Sequence, residues 1–124
     1  MRNFRDIQAW EKAHQFALGV YKLTSNFPKH EEYGLSRQIR RSASSIPTNI
    51  AEGCGRNGKA DLAHFLDIAL GSAKEADYQL LLSKELGYLK EEAYGSLFKD
   101  ITEIQKMLSS LIAKVRSDIR SRSV

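Results

Sequence analysis

The sequence predicts an all-α protein, one antiparallel up-down-up-down four-helix bundle spanning residues 1–124. Three observations predict it. Four stretches repeat apolar residues at steps of three and four, the breaks between them fall at Pro28, at Gly53 to Gly58 and at Gly87, and nothing alternates as a half-buried strand would. With 124 residues, 42% of them hydrophobic, the chain has the size of a single domain around one core.

In the first helix, expected over about residues 6–26, Ala9, Ala13, Phe16, Val20 and Leu23 form the stripe, widened by Ile7, Trp10, Ala17 and Tyr21. Phe27-Pro28 closes it, because a residue before proline is pushed out of the helical region. Leu35, Ile39, Ala43, Ile46 and Ile50 carry the second helix, which Gly53 and Gly55 end. Pro47 lies inside it, lacks an N–H and crowds the Ala43 carbonyl, so a kink or an opened turn is expected there. Ser44, Ser45, Thr48 and Asn49 stand ready to satisfy the freed backbone groups, and Asn49 with Glu52 forms either a bridge to another helix or subunit or a solvated strip.

The third helix, expected over residues 59–86, is apolar over a wider arc than one bundle stripe requires, which implies a second buried contact. Its centre, ALGSAKEA at residues 69–76, has small side chains that admit a close neighbour. In the fourth, Leu97, Ile101, Ile104, Leu108, Leu111 and Val115 make a heptad seam, with an end expected near Ser117.

Net charge is +4, distributed unevenly: residues 36–59 hold Arg37, Arg40, Arg41, Arg56 and Lys59 against Glu52, and residues 114–124 hold Lys114, Arg116, Arg120 and Arg122 against Asp118. Such clusters point to a polyanionic partner or to solvated faces. The topology gathers Arg2, Arg5, Arg56, Lys59, Arg116, Arg120 and Arg122 at one end, against Asp6, Glu52, Asp61 and Asp118. The other end is acidic, with Glu31, Glu32, Glu85, Glu91 and Glu92 against Lys29, Lys84 and Lys90. Apolar runs such as residues 80–82 are far shorter than a membrane span, the start MRNFRDIQ lacks a secretion signal's apolar segment, and the one cysteine fits a reducing compartment. A cytoplasmic protein is expected.

Several patterns imitate known chemistry. Gly53-Cys54-Gly55-Arg56-Asn57-Gly58 reads GxGxxG and Lys59 follows, yet a dinucleotide site needs a strand before it and here a helix precedes. Backbone N–H groups at the start of the third helix, beside Arg56 and Lys59, retain the capacity to hold a phosphate, unless Glu52 pairs with Arg56 four residues on. Glu11-x-x-His14 and Asp61-x-x-His64 mimic the ligand pairs of metal-binding bundles, but they stand about 4–5 Å apart in height at 1.5 Å per residue. Cys54 has no histidine near it in sequence and is expected as a buried thiol. No enzyme, metal or cofactor is expected.

Arg37, Arg40 and Arg41 are expected to project two or three guanidinium groups from the middle of the second helix, with no aromatic between them. This arrangement favours phosphate contact over base stacking; the competing reading is an interhelical or intersubunit salt bridge.

The motif QIRRSASSIPTNIAEGCGR at residues 38–56 resembles the signature of the bacterial 23S ribosomal RNA intervening-sequence protein family, relatives of the accessory variability determinant proteins of diversity-generating retroelements. Phe4-Arg5-Asp6, Trp10-Glu11-Lys12-Ala13, Phe27-Pro28, Tyr33-Gly34-Leu35, Phe65-Leu66 and Gly71-Ser72 extend the resemblance along nearly the whole chain. It implies a four-helix bundle assembled into a ring-like homo-oligomer, a pentamer, with nucleic acid as partner and no enzymatic activity. The chain departs from the family pattern at Gly58, where a serine usually begins a capping box and here only Asp61 remains. Serine at position 58 is therefore expected to stabilise the fold slightly.

The function expected is a non-enzymatic, oligomeric bundle that associates with RNA or DNA phosphates through Arg37, Arg40, Arg41, Arg56 and Lys59. The alternative is a structural or protein-docking bundle.

Overall fold

The computed structural model describes residues 3–123, with side chains through residue 121. Arg2 and the side chain of Arg122, both assigned above to the basic end, lie outside this description. The helices are α1 (Gln8–Thr24), α2 (Leu35–Cys54), α3 (Lys59–Glu85) and α4 (Glu91–Ser123), with short 3-10 turns at Phe4–Asp6 and Lys29–Glu31. There is no strand among the described residues. Each helix packs against its neighbours in sequence and α1 meets α4, which closes the four-helix bundle.

Helix ends follow from local chemistry. At the start of α1, Asp6 belongs to the 3-10 turn and Ile7 is extended, so α1 begins two residues later than its periodicity predicts. At its end, the Thr24 hydroxyl donates to the Val20 carbonyl at 2.8 Å and Ser25 to the Lys22 carbonyl at 2.6 Å, turning the chain before Asn26. Conversely, α4 runs past Ser117, because Ile119 still packs against the core.

All five predicted stripe residues of α2 are buried, and Phe16, Val20, Leu66, Leu80, Ile101, Ile104, Leu108 and Val115 complete the centre of the core. Two stripe assignments change: Tyr21 is 46% exposed, and Ile112 is buried while Leu111 only borders the core. The wide arc of α3 is largely absorbed within the chain, since α3 packs against both α2 and α4. Ile68, Tyr78 and Leu81 remain exposed.

Small residues let α2 and α3 approach closely. Ala69, Ala73 and Ala76 are fully buried, Ser42 donates to the Gln79 amide oxygen at 2.5 Å, and Ser72 donates to Ser45 at 2.9 Å. A Cβ at Gly53 would sit 3.0 Å from Phe65 Cβ, so only glycine fits this contact without displacement. No turn opens at Pro47, which is buried within a continuous helix. Thr48 and Asn49 donate to the carbonyls of Ser44 and Ser45, both at 2.8 Å, and hold the surrounding turn closed. These bonds fall on the two carbonyls that follow that of Ala43, and Asn49 is thereby committed within its own helix.

Gly58 corrects the capping expectation. Its backbone, at φ 138° and ψ 161°, occupies a region essentially restricted to glycine, so serine is excluded there by strain. The helix nevertheless starts at Lys59 as predicted.

Candidate nucleic-acid interface

Arg37, Arg40 and Arg41 fall in the first two turns of α2, not its middle, at the end of the bundle where α1 finishes. The three have different fates. Arg40 turns toward α1: its Nε donates to the Thr24 hydroxyl at 2.6 Å, an NH2 group donates to the Tyr21 carbonyl at 3.2 Å, and the guanidinium lies 5.0 Å from the Tyr21 ring centre. A cation at a helix C-terminus satisfies otherwise unpaired carbonyls and opposes the negative end of the helix dipole. Arg40 is therefore a tie between helices, although its acceptors are neutral and the expected salt bridge does not form.

Arg37 and Arg41, one turn apart, are exposed, and their guanidinium groups make no hydrogen bond, ion pair or ring contact among the described residues. They line a groove with Tyr21, Glu32, Tyr33, Arg40 and Ser44. The aromatic groups absent from the arginine run in sequence thus arrive from α1 and from the connection before α2. Tyr33 is 80% exposed, so an open aromatic ring lies beside the arginines although none stands between them in sequence.

The other two predicted contacts are elsewhere. Arg56 lies beyond the far end of α2, about 20 Å along the helix from Arg41 at 1.5 Å per residue. It pairs with Glu52 at 3.7 Å and covers the Phe65 ring at 4.9 Å, while Lys59 pairs with Asp118 at 3.4 Å. Arg116 likewise pairs with Asp67. At this end Arg56, Lys59 and Arg116 are each engaged by a carboxylate of the same chain, and the five predicted residues do not form one surface.

At the groove end, an acidic residue has a structural task that sequence reading missed. Glu31 accepts from the Leu35 N–H at 3.0 Å, capping α2, and from the Tyr88 hydroxyl at 2.9 Å, which ties the α3–α4 connection to the start of α2. The Leu35 N–H, then the Tyr88 hydroxyl, hold the Glu31 carboxyl below its ordinary range, and the same hydrogen bond raises the Tyr88 phenol. Between α1 and α4, Lys12 reaches Glu103 at 2.8 Å; their hydrogen bond raises the lysine and lowers the carboxylate.

The remaining candidates are occupied otherwise. His14 stacks on Trp10 at 4.9 Å, Glu11 accepts from Gln15 at 3.1 Å, and His64 is exposed beside Phe65. Among the described residues no three metal-ligating side chains converge. Cys54 is buried, as expected. No described helix is long and apolar enough to cross a membrane.

Residues 5–110, which include all of α1 to α3, match the family model described as 23S rRNA-intervening sequence protein. The chain belongs to that family. A solved structure from Bacteroides thetaiotaomicron, described as a protein of unknown function from the S23 ribosomal protein family, is similar in fold and sequence: TM-score 0.79, 36% identity, 85% of this chain and 95% of that one covered. Among curated proteins nothing matches. The groove residues lie inside the span matched to the 23S rRNA-intervening sequence family, whereas Arg116 and Arg120 lie beyond it.

Proposed function

We propose that this chain is a non-enzymatic, homo-oligomeric bundle that associates with the phosphates of RNA or DNA through the α2 groove, and that it works in the cytoplasm. One observation carries the reading: Arg37 and Arg41 present two guanidinium groups, unengaged among the described residues, one turn apart on α2. Arginine suits phosphate because its planar donor fork matches two phosphate oxygens at once. Repetition around a ring, a pentamer by the family resemblance, would turn a weak contact into an effective one. Exposed Leu18, Ile68, Tyr78, Leu81 and Phe98 supply apolar surface for such an assembly. On the motif at residues 38–56 we also count the chain among relatives of the retroelement accessory variability determinants.

Binding of mixed-sequence RNA and DNA across a salt series tests this reading. Affinity should be high at about 50 mM salt and fall steeply as salt rises, with a logarithmic slope set by the number of phosphates contacted. Arg37→Glu with Arg41→Glu should abolish binding while circular dichroism and oligomeric mass stay unchanged, and Arg120→Glu should have the smaller effect. Wild-type protein that binds neither nucleic acid at about 50 mM salt refutes the proposal.

A second reading, a protein-docking bundle, has its own observation: an apolar groove between α1 and α2 lined by Phe4, Trp10, Leu18 and Pro47. Light scattering separates the assembly question from binding, since a 14.0 kDa monomer at micromolar concentration would exclude an oligomer of either kind.

A further inference from the structure

Resting on the phosphate-binding reading of the α2 groove, we infer that its ligand is single-stranded nucleic acid, with an unpaired base stacked on Tyr33. A surface built for phosphate alone needs cations and hydroxyls. This one also holds two aromatic rings and a carboxylate.

Tyr33 is the first of these. It is 80% exposed, its side chain makes no hydrogen bond or ring contact among the described residues, and it stands just before α2, lining the same groove as Arg37. A tyrosine left so open has large apolar faces in water and little conformational freedom to lose on binding, which suits a stacking platform. Tyr21 differs, since the Arg40 guanidinium already covers its ring at 5.0 Å and its backbone is held by the same arginine. Arg40 thereby fixes one wall of the groove and leaves Tyr33 as the open platform.

Glu32 is the second sign. Its carboxylate shares the groove with three arginines yet forms no ion pair with them. Facing a phosphate it would be repulsive, but facing a base edge it can accept from an exocyclic amino group, as carboxylates do with cytosine. Stacking on Tyr33 reaches a base only when that base is out of the helical stack, and in duplex RNA the deep, narrow major groove also keeps the amino edge from a side chain such as Glu32. In a duplex the base faces are covered by their neighbours, and only backbone and groove edges are offered to a protein.

The test compares a mixed-sequence RNA of about 16 nucleotides with the same RNA annealed to its complement, by fluorescence anisotropy at about 50 mM salt. Wild type is expected to bind the single strand about tenfold more tightly than the duplex. Tyr33→Ala should weaken the single-strand complex by about tenfold and leave the duplex complex within about twofold, while Tyr33→Phe should retain both. Because Tyr33 is exposed, its variants should keep the wild-type melting curve and oligomeric mass. Equal affinity for the two RNAs, or a Tyr33→Ala variant that binds the single strand like wild type, overturns the inference. A changed oligomeric mass for Tyr33→Ala also overturns it, by assigning Tyr33 to a subunit contact. If those results appear while Arg37→Glu with Arg41→Glu still abolishes binding to both RNAs, the phosphate-binding reading survives alone. If wild type binds neither RNA, both fail.

Discussion

The two ends of α2 carry basic residues in similar number, three at one and two at the other, but not in similar condition. At the groove end, Arg37 and Arg41 have no partner among the described residues and Arg40 is committed to α1; at the loop end, Arg56 and Lys59 each face a carboxylate from the same molecule. Charge density along a sequence therefore overstates the surface available to a polyanion. What decides is whether the fold supplies a counter-charge at hydrogen-bonding distance, and here it does so at one end only.

The largest expected effect tests this contrast directly. Arg37→Glu with Arg41→Glu should reduce nucleic-acid affinity by more than about tenfold, whereas Arg56→Glu with Lys59→Glu should change it by less than about threefold, each read by anisotropy at fixed salt. Equal losses would erase the distinction between the ends. On the stability side, Gly58→Ser at the loop end should lower the unfolding free energy by about 2 kcal/mol in urea titration, because φ 138° is inaccessible to serine without strain. An unchanged or raised midpoint would mean that the α2–α3 loop relaxes freely.

At the groove end, Arg40→Ala should destabilise by about 1 kcal/mol, through loss of the Thr24 and Tyr21 bonds, while Arg37→Ala and Arg41→Ala stay within about 0.5 kcal/mol of wild type. That pattern would separate the structural arginine from its two neighbours.

Acid titration sharpens the same region. The Glu31 carboxyl titrates below its ordinary value of 4.5, so its contribution is present above that value and is lost as pH falls through the lower folded one. Glu31→Gln should accordingly flatten the decline of stability below about pH 4.5, measured as the difference between the two melting profiles. A parallel decline in both proteins would show that the link to Leu35 and Tyr88 does not respond to charge. The smallest effect belongs to Arg56→Ala. The Glu52–Arg56 pair is about half exposed on both sides, and its removal should shift stability by less than about 0.5 kcal/mol.

The helices were legible because burial imposes a period of 3.6, and Leu35, Ile39, Ala43, Ile46 and Ile50 obey it without exception. The Glu52–Arg56 pair was equally accessible, since a spacing of four suffices to predict it. The groove was not. Tyr21 stands 16 residues before Arg37, and only the packing of α1 on α2 brings its ring to the arginines, while the exposure of Tyr33, four residues before Arg37, is not readable from residue type. Arg40 was misread for the same reason: its partners, Thr24 and the Tyr21 carbonyl, belong to another helix. Gly58 failed in a different way, because residue type at a cap reports side-chain capacity while the turn geometry decides which residues can stand there at all.

The Ser42–Gln79 and Ser45–Ser72 bonds between α2 and α3 also act as an index mark. Moving α2 along α3 by one turn, about 5.4 Å, breaks both bonds, and a shift of four residues would set Ile46 against the Gln79 amide. Alanine-rich helices otherwise offer little resistance to sliding, since one small side chain fits much like the next. These two bonds thus choose a single alignment of α2 on α3 from several of similar packing quality.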